Sequence, residues 1–264
     1  MSKFRASMIL GAALLAGSVA TASAADLHRG SLKDSYVPAA PVSSGPSSWY
    51  VRLDGGHARF DDPTMIEDGR FDLTGAKIDD TWTLGGGVGY YFSKNVRADI
   101  TWDHRFEADA RGSIPGIGLT PFPGERKFGL KSDVVMANLY YDIDTRTRFT
   151  PYIGVGIGFA HNKTTTGTVA DHCACGFTNV SIAGDSKWST AGALMSGVSF
   201  AVRDRLHIDA GYRYLMLGDA HTGLITGTAA PVGGAPGAPA VAGDPVIKDL
   251  WSHEFRIGLR YDIR

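Results

Sequence analysis

Val96-Arg97-Ala98-Asp99-Ile100-Thr101-Trp102-Asp103 alternates apolar and polar side chains at every step. A period of two belongs to a β-strand with unlike faces, whereas a helix needs apolar pairs three or four residues apart. The end of the chain repeats the pattern. Trp251, Phe255, Ile257, Leu259, Tyr261 and Ile263 alternate with Glu254, Arg256, Gly258, Arg260 and Asp262. Ile153, Val155, Ile157 and Phe159 alternate with glycines 154, 156 and 158, which would each cost a helix about 1 kcal/mol.

Five further segments follow the same rule. Trp49, Val51 and Leu53 oppose Arg52 and Asp54, and Trp82, Leu84 and Val88 oppose Thr83 and glycines 85, 87 and 89. Val135, Leu139 and Tyr141 oppose Met136, Asn138 and Tyr140. Leu206, Ile208, Tyr212 and Tyr214 oppose His207, Asp209 and Arg213. Leu194, Val198, Phe200 and Val202 form the weakest face, with Ala and Ser opposite. Eight strands of about 9–14 residues result, long enough to cross a bilayer at a tilt.

The connections alternate in length. Residues 93–95, 144–148 and 203–205 are short turns, whereas 61–80, 107–130, 164–186 and 218–248 read as long loops. The last of these is rich in Gly, Ala and Pro and is expected to be mobile. Short turns at one end and long loops at the other are the habit of membrane barrels.

Composition bounds the rest. The chain has 264 residues with 26 Lys+Arg and 27 Asp+Glu, so no basic footprint for nucleic acid is present. Lys3 and Arg5, the apolar stretch Met8–Ala20 and Ala22-Ser23-Ala24 form a signal peptide over residues 1–24, with cleavage before Ala25. Residues 25–48, rich in Pro and Ser, read as a disordered, flexible periplasmic leader, and the barrel occupies 49–264. No later apolar run reaches the ~18 residues of a membrane helix, so a membrane-inserted form must be a closed barrel.

Aromatic residues crowd the strand ends. Trp49, Tyr50, Tyr91, Phe92, Tyr141, Tyr152 and Tyr261 are assigned to a girdle at the short-turn end. Trp82, Trp102, Phe159, Trp188, Tyr214 and Trp251 are assigned to one at the long-loop end. Amphipathic rings settle at headgroup depth, so two bands mark two interfaces. The polar faces carry an interior charge plug of Arg52, Asp54, Arg97, Asp99, Asp209, Arg213, Glu254, Arg256 and Arg260, with Asp103, Asp142 and Asp262 on the same faces. Excess acids are expected to meet His57, His207 or water. Mixed signs speak against an ion-selective lining. Arg at Ile257 is expected to be costly, and Ser at Gly258 mild.

Catalysis has little support. The eight histidines are scattered, and neither H-E-x-x-H nor G-x-S-x-G occurs. An enzyme site at the loop rim would draw on His104, His253, Asp103 and Ser252. Cys173 and Cys175 either pair as a strained loop disulfide or, with His172, bind a metal. No cofactor is expected.

The leader Ala25-Asp26-Leu27 with Gly30-Ser31-Leu32-Lys33-Asp34 resembles that of small outer-membrane surface proteins of alpha-proteobacteria. The opening Trp49-Tyr50-Val51 and the close Ser252–Tyr261 are similar too. The resemblance is to OmpA/OmpX-like eight-stranded barrels, and it implies an abundant surface-antigen type of envelope protein, not an enzyme. The fold expected is therefore an all-β, eight-stranded antiparallel up-and-down transmembrane barrel of the Gram-negative outer membrane, with both termini periplasmic. Its expected role is envelope integrity and surface contact, without an open pore. Its expected partners are outer-membrane lipid and lipopolysaccharide, the outer-membrane assembly machinery, and an unidentified surface ligand or host molecule. The alternatives are a narrow porin-like channel and a secreted lipocalin-like barrel, which would put the apolar faces inside.

Overall fold

The computed structural model describes residues 48–114, 124–170, 177–229 and 239–263. The signal peptide, nearly all of the leader, and Cys173 and Cys175 lie outside the described residues. Within them the chain forms β1 (Trp49–Phe60), β2 (Thr64–Glu67), β3 (Phe71–Asp72), β4 (Thr74–Ile78), β5 (Thr81–Tyr91), β6 (Val96–Ile114), β7 (Gly124–Asp142) and β8 (Phe149–Thr164). It continues through β9 (Gly167–Ala170), β10 (Phe177–Ile182), β11 (Ser186–Arg203), β12 (Leu206–His221), β13 (Ile225–Ala229), β14 (Pro239–Ala242) and β15 (Pro245–Ile263). All pairings are antiparallel.

There are thus fifteen strands where the alternation indicated eight. Eight long ones pair in the ring β1-β5-β6-β7-β8-β11-β12-β15, and β15 returns to β1 in a register running from Trp49↔Ile263 to Phe60↔Ser252. Closure leaves no free edge in this part, so each backbone group finds a partner without water.

The ring is apolar outside and polar inside. Leu53, Ile100, Leu139, Val155, Ile157, Leu194, Phe255, Ile257 and Leu259 are exposed. So large a continuous apolar surface is foreign to a water-soluble monomer. It excludes the lipocalin arrangement, in which these residues would fill the interior. Their neighbours Asp99, Thr101, Asp103, Asn138, Asp209 and Glu254 are buried.

Beyond the tryptophans at the long-loop end the polarity reverses. Met65, Leu73, Ile78, Ala110, Ile114, Phe128, Leu130, Ile182, Leu215, Leu217, Ile225, Ile247 and Leu250 form one buried apolar cluster. The outer face of this tier carries exposed ion pairs, Glu107–Lys131 at 2.8 Å and Asp109–Lys127 at 3.0 Å. Exposed pairs add little stability, but they keep the surface wet.

The reversal is made by bulges. The β6–β7 register shifts between Arg105 and Ala108, so Phe106 and Glu107 both face outward. Even-numbered residues faced outward before that point, and Ala108, Ala110 and Ile114 then face in. On β12 the register against β15 shifts twice between Met216 and Ala220. Opposite, Lys248 and Asp249 are both exposed, with Asp249 at φ 51°.

The long loops therefore need correction. Most of 107–130 continues β6 and β7, which stay paired and are flanked by β4 and β9, while 61–80 holds β2, β3 and β4. Residues 164–186 hold β9 and β10, and 218–248 hold β13, β14 and the start of β15. The expectation of mobility for 218–248 fails over its described part, where β13 pairs with β10 and β14.

Gly258 also departs from expectation. A Cβ there would run into Asp54 Oδ1 inside the ring, so Ser at this position is not mild. The lipid-facing test needs a different control. Ile257→Arg should lower unfolding stability in lipid vesicles by about 2–4 kcal/mol, whereas Val241→Arg, exposed in the outer tier, should change it by less than about 0.5 kcal/mol. Equal losses in urea titrations would show that Ile257 does not face lipid.

Candidate functional site

Two places concentrate chemistry: the lumen of the ring and the rim where its polarity reverses. In the lumen, side chains from six strands meet. Arg52 donates through Nε and Nη2 to both oxygens of Asp54, at 2.8 and 2.7 Å, and through Nη1 to Asp99 Oδ2 at 3.0 Å. Asn138 donates to the other Asp99 oxygen at 2.8 Å. Arg213 bridges Asp103 and Glu254, each at 2.7 Å, and Arg256 donates to Asp103 at 2.6 Å. Toward the short turns, Arg97 donates to Asp142 at 3.0 Å, and Arg260 to Ser199 at 2.7 Å and Asp209 at 3.3 Å.

All nine residues read from the sequence as an interior plug face into the ring. Arg256, 3.5 Å from Asp54, links the Arg52 and Arg213 groups, and Arg97 joins them through the Tyr50 hydroxyl, whereas Arg260 and Asp209 form a separate pair. Sequence reasoning missed Arg105, which donates through Nε to Glu254 at 2.8 Å. The signal was present, since Arg105 shares the odd parity of Arg97, Asp99 and Asp103. Arg105 brings the interior arginines to six against seven acids: Asp54, Asp99, Asp103, Asp142, Asp209, Glu254 and Asp262. His207 lies 3.1 Å from the seventh, Asp262. His57 does not join them. It packs on the outer face against Trp82, with ring centroids 5.1 Å apart.

Tyr152 is a second correction. It was placed in a girdle with Tyr50 and Tyr91, yet all three are buried inside the ring. Tyr152 shares parity with glycines 154, 156 and 158, which marks the inner face. Its hydroxyl lies where the Cβ of Gly197 would otherwise stand, so that glycine makes room for the ring. The Arg97 guanidinium sits 4.0 Å from the Tyr140 ring centroid and 5.1 Å from that of Tyr152. Aromatic faces supplement carboxylates as partners for buried cations here.

These side chains project into the lumen of the eight-stranded ring. The gap bounded by Arg52, Asp54, Tyr140, Tyr152 and Arg256 measures about 20 Å³, room for about one water. Above it, the apolar cluster of the outer tier encloses a buried ion pair, Arg126 Nε to Glu67 Oε2 at 2.6 Å.

The other girdle residues lie on the outside. Trp49, Trp82, Trp102, Tyr141, Trp188 and Tyr261 are exposed, and Tyr214 and Trp251 stack on each other 4.9 Å apart. Beside the tryptophans at the reversal stand outward-facing histidines. His161 stacks on Trp188 at 4.4 Å, His104 lies 6.3 Å from Trp102, and His253 lies 4.8 Å from Tyr214.

The enzyme constellation considered from sequence does not assemble, because Asp103 and Ser252 are buried inside while His104 and His253 face out. Instead, His253 Nε2 lies 2.9 Å from Asp61 and its Nδ1 2.5 Å from the Tyr212 hydroxyl. His104 Nδ1 donates to Asp133 at 2.8 Å. Burial of Asp133 alone would raise its pKa, but His104 and Lys163 outweigh that and hold its carboxyl below the usual range.

The match to a known family model extends from residue 11 to residue 262. This chain belongs to the outer membrane protein beta-barrel domain family. It is 32% identical to an uncharacterized protein of Brucella suis biovar 1, over 94% of both chains. It is 35% identical to the outer membrane protein PagN of Salmonella typhimurium over 51% of this chain and 58% of that one. The crystal structure of OprG from Pseudomonas aeruginosa aligns with 83% of the chain and 98% of its own, at 18% identity and a TM-score of 0.46. The family accounts for the apolar outer surface of the ring: it faces the lipid of a Gram-negative outer membrane.

Two measurements probe the site in this beta-barrel. Glu254→Gln leaves Arg105 and Arg213 without their shared carboxylate, and should cost about 3–5 kcal/mol, read as a lower urea midpoint in micelles. An unchanged midpoint would mean the cluster is hydrated. The lowered pKa of Asp133 should stabilise the fold above the ordinary carboxylate range, and that contribution should disappear as pH falls through the lowered native value. A carboxyl NMR titration should place the Asp133 midpoint in the folded barrel below its midpoint in urea. A midpoint at or above the unfolded one would contradict the assignment.

Proposed function

We propose that this protein is a sealed surface barrel. It would stiffen the outer membrane and present its outer tier, facing outward, to host or environmental surfaces. The observation that carries the reading is the doubly closed interior, charge-paired within the ring and apolar above it. Mixed charges locked in pairs offer no lining of one sign along which an ion would move. This favours a plug over a narrow porin-like channel. A catalytic role has little to draw on, since Asp103 and Ser252 lie inside the ring while His104 and His253 face out.

Relatives support the contact role. A putative adhesin of Rickettsia massiliae is 24% identical over 82% of this chain and 88% of its own. Much of the described tier beyond the belt is paired strand, which restrains its surface, and a restrained binding face loses less entropy on contact. With an even number of crossings the termini share one side. Export from the periplasm puts that side within, with the short turns.

In a planar bilayer the purified protein should show no steady conductance of general-porin size. Large, stable, voltage-independent steps would replace the sealed barrel with a solute channel. For orientation, an epitope inserted within 230–238 should be stained by antibody on intact cells, and one at 93–95 only after permeabilisation. The reverse staining would invert the topology. Cells carrying the protein should adhere to host-cell monolayers more than cells lacking it, and equal adhesion would leave only the structural role.

A further inference from the structure

Two neighbouring short turns carry four arginines. Arg146 and Arg148 lie between β7 and β8, while Arg203 ends β11 and Arg205 precedes β12. All four are exposed, and none has an ion pair among the described residues. β8 and β11 are adjacent, so the turns stand side by side. Phe200 is in register with Phe149, and Ala201 N donates to Arg148 O at 3.0 Å. Strands about 4.8 Å apart put the arginines on one arc from β7 to β12, roughly 15 Å long.

The first of these turns is held in shape by its own bonds. Arg146 N donates to Asp144 Oδ1 at 2.8 Å, and Phe149 N to Thr147 Oγ1 at 3.1 Å. Arg146 itself sits at φ 55°, in the left-handed region where a glycine or asparagine would be less strained. An arginine kept in a costly backbone conformation points to a use for its side chain. Only Asp144 and Asp204 oppose the four arginines along the arc, and Asp144 already accepts the backbone N–H of Arg146. The outer tier is built otherwise. There Arg70, Lys127 and Lys131 are each paired to a carboxylate.

The surroundings of the arc are those of a membrane interface. Ile143, Phe149 and Val202 are exposed beside the arginines, and the Phe149 and Phe200 rings lie 4.9 Å apart. Exposed Tyr141 and Tyr261 belong to the girdle at the same end. Such rings settle at headgroup depth, so the turns just beyond them stand at the level of lipid phosphates. A guanidinium presents a planar fork of N–H donors that matches two phosphate oxygens, as an ammonium does not.

We propose that Arg146, Arg148, Arg203 and Arg205 form a docking site for the phosphate groups of anionic phospholipid, in the leaflet at the short-turn end. In the orientation proposed above that is the periplasmic leaflet. The binding itself rests on the ring lying in lipid, not on which end faces out. Each arginine near an anionic surface is worth about fivefold in affinity.

The full-length barrel in phosphatidylcholine vesicles tests it, with a trace of photoactivatable phosphatidylglycerol or of phosphatidylcholine carrying the same label. Mass spectrometry of the cross-linked peptides should find phosphatidylglycerol at 144–150 and 199–205 about fivefold or more above phosphatidylcholine. Replacing the four arginines together by Gln should abolish that excess, whereas Lys127→Gln with Lys131→Gln in the outer tier should keep it. Heat-modified gel mobility checks that each variant is folded. Should the fourfold variant not fold, Arg203→Gln with Arg205→Gln leaves the Arg146 turn intact and should still lower the excess. Equal labelling by the two lipids, or an excess that survives loss of the arginines, would overturn the proposal. An excess lost to inorganic phosphate but not to chloride at the same ionic strength would make the site one for soluble anions and overturn its assignment to lipid. Reversed epitope staining would move the site to the other leaflet and leave the labelling in vesicles unchanged.

Discussion

The pairing of β1 with β15 is the constraint on which the rest depends. In a bilayer no water relieves an unpaired N–H or C=O, so a sheet in lipid must have no edge. The twelve register pairs from Trp49↔Ile263 to Phe60↔Ser252 remove the last edge of the ring. Closure then creates an inside, and every second residue of every strand must go there. With lipid outside, the apolar residues go out and the polar ones are left to fill a narrow lumen. The arginine–carboxylate network follows as the arrangement that makes buried charge tolerable.

Strand ends show where that pressure stops. Past the tryptophan row the outside is water, and the same ring extended upward must exchange its faces. A sheet exchanges faces only by inserting a residue, and bulges occur where this is needed, at Phe106–Glu107 and between Met216 and Ala220. Each moves one parity class from lipid to core. Ala108 follows Phe106 by two positions yet lies inside, while Phe106 lies outside. The molecule therefore carries two interiors, a polar one at membrane depth and an apolar one above.

This explains what the sequence made legible. Strict alternation needs two contrasting environments and an unbroken count. Both hold for Val96–Asp103 and for Trp251–Ile263, so the ring and the inward parity of its charged residues could be read directly. A bulge breaks the count, and alternation then looks like noise. The upper parts of β6 and β7 were read as a loop for that reason, and because their outer face carries Lys127, Lys131, Glu107 and Asp109. Tyr152 failed differently. Residue type outweighed parity, although its parity with Gly154 pointed inward. Tyrosine serves at an interface and inside a charged lumen alike, because its ring is apolar and its hydroxyl is not.

The same duality makes the lumen more than a row of salt bridges. Six arginines face seven acids inside the ring, and the gap among Arg52, Asp54, Tyr140, Tyr152 and Arg256 has room for about one water. Ion pairing alone would demand that each guanidinium direct all its N–H groups at carboxylates, and the ring has too few directions for that. Tyr50, Tyr91, Tyr140 and Tyr152 supply faces instead, with Arg260 lying 5.5 Å and 5.6 Å from the first two ring centroids. Rigid aromatic rings also hold their positions better than flexible acids do. Glycines on nearby strands admit those rings: Gly89 on β5 beside Tyr50, Gly154 on β8 beside Tyr140, and Gly197 on β11 and Gly211 on β12 beside Tyr152. Polar strands and glycine-rich strands are thus two halves of one packing solution.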